Sequence, residues 1–374
     1  VDITGKKRHL TSIYMRTIPT VLLSFFISLM VITPVMSQGV RQSQKALEEQ
    51  ASIIHKRFLT IDTHNDTALH INNPNAEYRV TKGQVTFPMM KEGGLDAALF
   101  AIFISQKERD DASLEIAKQY VVDQLSAFRK YVENYPGVSI AYSSEDLLRN
   151  KRENITSVML AIENGYAIAK DLSNLEMFRD MGVRAITLCH NLNNDICDAS
   201  MDKASEHNGL SAFGKEVVKE MNRLGIIIDV SHASVKTVLD VVKLSKYPVM
   251  ASHSGVYSLK NHNRNLRDHE MKAIAQAGGL IQIATGRFFL SELPKDSVTV
   301  SHIADHIDYA RSLVGIDHIG LGTDFDGGGG VVGLENVSKM KNLTIELLRR
   351  GYTPEDLEKF WGANFIRFLK HQNL

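Results

Sequence analysis

Apolar and polar positions follow two rhythms along this chain. Short, almost continuously apolar runs stand at 58–62, 97–104, 157–162, 183–189, 225–230, 247–252, 279–284 and 318–322. Strands buried on both faces of a parallel sheet read this way. Longer stretches with helical periodicity follow most of them, at 114–135, 172–181, 211–224, 234–245, 268–277, 300–314 and 335–350. Ahead of the first run, Leu47, Ala51, Ile54 and Phe58 form one apolar stripe among Glu, Gln and Lys, which predicts an amphipathic leading helix. Strands alternating with helices predict an α/β fold with a parallel sheet. Eight such units over roughly 250 residues or more predict a closed (β/α)₈ TIM-type barrel.

The N-terminal segment follows neither rhythm. Met15 and Arg16 precede the apolar run 21–32, and Pro34, Val35, Met36 and Ser37 follow it. A basic start, a short apolar stretch and a small residue at its end describe an export signal. The run is shorter than the ~20 residues of a membrane span. We therefore expect 1–37 to be an N-terminal extension with a signal peptide cleaved near Ser37, and 38–374 to be a single barrel domain that is periplasmic or secreted. An uncleaved anchor is the alternative, and membrane contact is expected only in that case. A homodimer is compatible with the sequence.

Charge removes other classes of partner. Lys plus Arg and Asp plus Glu both number 43, so the chain has no net charge with which to hold nucleic acid. The two cysteines, Cys189 and Cys197, do not make a zinc finger, and their spacing leaves a disulfide open. The glycine run 327–330 lacks the Lys-Ser/Thr ending of a phosphate loop and reads as a flexible loop.

The candidate chemistry lies where the apolar runs end. The first closes in Ile61-Asp62-Thr63-His64-Asn65-Asp66, the third in Glu163, the fourth in His190, the fifth in His232, the sixth in His253 and the eighth in Asp324. Barrel enzymes build their active sites at this C-terminal end of the strands. A lone histidine there would carry no weight, since histidines are often partly buried for ordinary reasons. Six polar ends on one rim do carry weight. Imidazole nitrogen and carboxylate oxygen are zinc ligands. His64 and Asp66, two apart on an extended segment, face the same way and can chelate one ion. Glu163 can bridge two ions with its two oxygens, and His232 and His253 can close the second site. Two zinc ions with a bridging water make a nucleophile at neutral pH. His190 and Asp324 remain as non-ligands or weak ligands: Asp324 to move the proton, His190 to stabilise the oxyanion.

These pieces, in this order, resemble the membrane dipeptidase (renal dipeptidase) family of zinc peptidases. The resemblance runs from about residue 55 to 372, a span that suits one barrel. It rests on residues 62–66, 162–165, 184–191, 229–232, 252–254, 263–265, 322–327 and 333–339. It implies hydrolysis of dipeptides, with His64, Asp66 and Glu163 on one zinc and Glu163, His232 and His253 on the other. It implies His190 at the substrate and its tetrahedral intermediate, Asp324 as the acid/base group, and Arg264 on the substrate carboxylate. Two departures touch substrate preference: the stretch after His190 lacks the family's usual Trp, and the loop after Asp326 is glycine-rich. Another binuclear-zinc amidohydrolase, such as a deacetylase or lactonase, and a metal-binding barrel without catalysis remain the alternatives.

Overall fold

The computed structural model describes residues 43–68, 83–372 and 374. Among them nine parallel strands form one sheet: β1 (Ile61–Asn65), β2 (Ala97–Phe103), β3 (Val138–Ile140), β4 (Thr156–Glu163), β5 (Val183–Thr187), β6 (Ile227–Asp229), β7 (Met250–Ser254), β8 (Leu280–Ile283) and β9 (Ile319–Leu321). The order is β1-β2-β4-β5-β6-β7-β8-β9, with β3 paired beside β4. Past β9 the chain returns to β1. Asn65 bridges Phe325, the Asp66 N–H donates to Phe325 O at 2.8 Å, and the Asp324 N–H donates to His64 O at 3.0 Å. The result is a nearly closed (β/α)₈ barrel, and every apolar run corresponds to one of its strands.

Two layers of packing explain why those runs lack alternation. Leu99 and Ala101 of β2 point into the ring, in a cluster with Met159, Ile227, Met250 and Leu280, while Phe100 and Ile102 pack outward among the helices. Both faces are therefore apolar. The helix Asn364–His371 adds Phe365, Phe368 and Leu369 to the inner cluster, and Asn364 Nδ2 donates to Ile319 O at the start of β9 (2.9 Å). It closes the end of the barrel opposite the polar strand ends.

The expectations depart from the fold in a few places. The run 58–62 begins too early: Phe58 caps the helix Gln44–Arg57 through its N–H to Ile54 O, and the strand starts at Ile61. Phe58 continues the helical stripe instead. Ser211 and Ser234 lie just outside their helices as N-caps, accepting from the Gly214 and Thr237 N–H groups. The strand β3, three residues long, has no counterpart among the apolar runs. Cys189 and Cys197 are buried free thiols, and Trp361 lies in the core with its Nε1–H on Thr344 Oγ1 (3.0 Å). The signal reading falls outside the described residues. Among the described residues no helix is long and apolar enough to cross a membrane.

One glycine sets the position of the last polar strand end. A Cβ on Gly322 would sit 1.7 Å from Ser252 O, so β7 and the segment after β9 can approach only if residue 322 has no side chain. That approach carries Thr323 and Asp324 to the centre of the rim.

Candidate metal centre

Each polar strand end reaches the centre by its own local device. His64 is the penultimate residue of β1, and Asp66 stands just past its end. Asp62 accepts from the His64 N–H (3.2 Å), the Thr323 N–H (2.8 Å) and Thr323 Oγ1–H (2.6 Å), which ties the start of the barrel to its end. Burial raises the Asp62 carboxyl to about 6 despite these bonds. His232 and Asp324 both hold left-handed backbone, with φ of 68° and 60°. Such conformations cost energy in non-glycine residues and concentrate where function holds them. The glycine run is a hydrogen-bonded turn around Asp324, since Gly327 and Gly329 N–H both donate to Asp324 O. A Cβ on Gly327 would stand 2.0 Å from Asp66 Oδ2 and 2.6 Å from Asp324 Oδ1, so a glycine is what lets this turn close on the carboxylates.

The structure brings all eight predicted residues together. A cavity of about 350 Å³ is lined by Asp66, Glu163, His190, His232, Arg264 and Asp324. His64 and His253 complete the cluster: His64, Glu163 and His253 form one trio whose ligand atoms lie within 4.8 Å of one another, and His64, Asp66 and Asp324 form another. A third trio is Glu163, His190 and His232. His190 packs against Phe103 and His232 with tilted rings, the centroids 4.6 and 4.2 Å away. A larger cavity of about 810 Å³ surrounds His55 and Asp96 at the other end of the barrel and contains none of these residues.

The distances fit ligands of a shared cation. Glu163 Oε1 is 3.0 Å from His232 Nε2 and 3.5 Å from His253 Nε2, and those two nitrogens are 3.1 Å apart. Glu163 Oε2 is 3.6 Å from His64 Nε2, which is also 3.6 Å from Asp66 Oδ2. Bonds of about 2.0–2.2 Å at tetrahedral angles separate two ligands by roughly 3.3–3.6 Å. Among the described residues the buried His64 Nε2 has no hydrogen-bond partner, although two carboxylate oxygens face it at 3.6 Å. A nitrogen facing two acceptor oxygens at that separation suits a shared metal ion.

Electrostatics add a division of labour. Burial disfavours a charged His64, but Glu163 and Asp66 outweigh it and hold its pKa well above the ordinary value. Burial, with Arg264 and neighbouring imidazoles, holds His232 and His253 well below it. Burial would raise Glu163, yet His64 and His232 keep it well below the usual carboxylate range. Asp324 moves the other way, raised well above that range by burial and by Asp66. Burial lowers both His190 and Arg264. Arg264 Nη2–H donates to His253 O at 3.2 Å, while its buried Nε has no hydrogen-bond partner among the described residues. The Phe289 ring flanks the guanidinium at 5.4 Å.

Sequence reasoning left several residues of this site without a role. Asn191, Asp229 and Ser252 bond to the histidines or to one another, and Phe103, Met201, His262 and Phe289 wall the cavity. An Asn or a Ser beside a motif histidine is visible in the sequence, but an apolar wall residue carries no chemical signal.

The chain is similar to known proteins over most of its length. The family model described as Membrane dipeptidase (Peptidase family M19) matches residues 48–374. Dipeptidase tcpJ of Claviceps purpurea (strain 20.1) is 32% identical over 324 residues, covering 83% of this chain and 76% of that protein. Dipeptidase aclJ of Aspergillus oryzae is 33% identical over 324 residues, covering 82% and 76%. Among solved structures, the probable dipeptidase PvdM from Pseudomonas aeruginosa matches with a TM-score of 0.83 at 29% identity, covering 88% of this chain and 99% of that one.

Proposed function

Since this chain belongs to the membrane dipeptidase family and is a metal-dependent dipeptidase, we propose that it cleaves its substrates with two zinc ions held on either side of Glu163. His64, Asp66 and Glu163 would hold one ion, and Glu163, His232 and His253 the other. The observation that carries this reading is the split of the Glu163 carboxylate, with Oε2 toward His64 and Oε1 toward His232 and His253. Zinc bound there supplies an acidified water and polarises the peptide carbonyl.

The chain's own groups do the rest. Asp324 takes a proton from the attacking water and returns it to the leaving amine. A carboxyl raised above its usual range suits both halves of that task. His190, kept neutral by burial, donates toward the oxygen that becomes negative as the carbonyl is attacked. Export also belongs to this proposal, on the strength of the basic start and apolar run before Ser37.

Arg264 is the candidate reader of the substrate's free carboxylate, one of the two ends that a dipeptidase must sense. Its guanidinium lies in the cavity wall, its Nε without a hydrogen-bond partner among the described residues, and a carboxylate pairs with such a group through two parallel hydrogen bonds. A hydrogen bond to a charged group contributes about 1.5–3 kcal/mol, roughly ten- to over a hundred-fold in kcat/KM. Arg264→Met should lose that factor on free dipeptides. Amidating the substrate's C-terminus should cost the wild type a similar factor and the variant little more. Steady-state kinetics of both proteins on both substrates measure the coupling, and purely additive losses would show that Arg264 does not read the carboxylate.

A further inference from the structure

Two of the cluster's imidazoles sit on hydrogen-bond chains whose protons can be counted. The Asp229 carboxylate, at the end of β6, accepts four bonds. Oδ1 takes the Ser231 and Ser252 N–H groups, both at 2.9 Å. Oδ2 takes the Thr187 and Ser252 hydroxyls, both at 2.6 Å. Ser252 has one hydroxyl proton, and Asp229 claims it. Toward His253 Nδ1, 2.9 Å away, Ser252 Oγ is therefore an acceptor. His253 must carry a proton on Nδ1, and its Nε2 lone pair faces Glu163. His232 follows the same logic through one partner. Its Nδ1 is 3.1 Å from Asn191 Oδ1, an amide oxygen that can only accept. Its proton too belongs on Nδ1, which leaves Nε2 bare toward Glu163 Oε1.

We propose that Asn191 and the Asp229–Ser252 pair are positioning residues that fix His232 and His253 as Nδ1–H tautomers, so that both Nε2 lone pairs face one cation position beside Glu163 Oε1. The inference rests on the two-zinc reading only for what occupies that position. The chain order is His253 Nδ1–H to Ser252 Oγ, then Ser252 O–H to Asp229 Oδ2; Ser231 Oγ accepts the His253 main-chain N–H at 3.0 Å and, with the Ser252 proton on Asp229, can give its own hydroxyl proton to Ser252 Oγ at 3.3 Å. Reversing any link puts a proton on Nε2, where the cation belongs. Outer partners of this kind typically matter about 10–100-fold in metal affinity.

Asp229→Asn reverses the first link without changing shape. Its amide oxygen still accepts the Ser231 and Ser252 N–H groups, and its NH₂ replaces Oδ2. That NH₂ donates to Ser252 Oγ, the Ser252 hydroxyl turns to His253 Nδ1, and the His253 proton moves to Nε2. Long-range ¹H–¹⁵N spectra of metal-free, ¹⁵N-histidine-labelled protein should read His232 and His253 as Nδ1–H in the wild type, and His253 as Nε2–H in Asp229→Asn. Zinc affinity, by competition with a chelator, should fall about 10–100-fold in that variant. On the other chain, Asn191→Asp keeps an acceptor and should keep zinc affinity, whereas Asn191→Leu should lose a similar factor. Equal losses in the two Asn191 variants, or a wild-type tautomer and affinity in Asp229→Asn, would overturn the proposal. Should Asp229→Asn fail to fold, an Nε2–H tautomer of either histidine in the metal-free wild type overturns it. Failure of zinc to bind the wild type would instead refute the two-zinc reading, leaving the tautomers to be read in the same spectra.

Discussion

Asp324→Asn should retain both metal ions and lose about 10²–10⁴-fold in kcat, the usual contribution of a general acid–base group. The substitution is nearly isosteric, and Asn tolerates the left-handed backbone that residue 324 adopts, with φ of 60°. The turn that receives Gly327 and Gly329 N–H on the main-chain oxygen of residue 324 is also unaffected. What changes is proton transfer, because a carboxamide cannot accept and return a proton. The measurement pairs zinc content with kcat on one dipeptide. Activity within a few-fold of wild type, with metal retained, would remove Asp324 from the role of acid and base.

A comparably large loss should follow Glu163→Gln. Glu163 is buried, and its two oxygens serve two separate sets of nitrogens. A glutamine keeps the shape but offers one oxygen and one NH₂, so one set must face a donor that repels a cation. The variant should bind at most one zinc after exhaustive dialysis. Metal-derived stabilisation of developing charge amounts to several kcal/mol, so turnover should fall about 10³-fold or more. Metal analysis and kcat on the same preparation test both halves. Two zinc ions per chain and near wild-type turnover would mean that Glu163 is not shared.

The eight strands were legible because burial on both faces leaves a continuous apolar signature, and the candidate cluster was legible because ligand-type side chains stand where those runs stop. The strand β3 was not, since Val138-Ser139-Ile140 is too short to make a run. Phe58 misled because one residue serves both a helical stripe and an apolar run. The glycine run 327–330 suggested looseness, whereas its missing side chains let the turn close on Asp66 and Asp324. Asn191, Asp229 and Ser252 stand in or beside the motifs, yet the direction in which each proton is donated becomes countable only once distances are known. Arg264 is the converse case. The resemblance supplied its role, and the fold adds a buried guanidinium in the cavity wall.

Zinc-edge anomalous diffraction from crystals of the purified, active protein puts a pair of zinc ions sharing Glu163 to the sharpest test. Two anomalous peaks are expected to flank the Glu163 carboxylate, one beside His64 and Asp66 and the other beside His232 and His253, in protein that turns over dipeptides. A single peak with Glu163 unligated would contradict a binuclear centre.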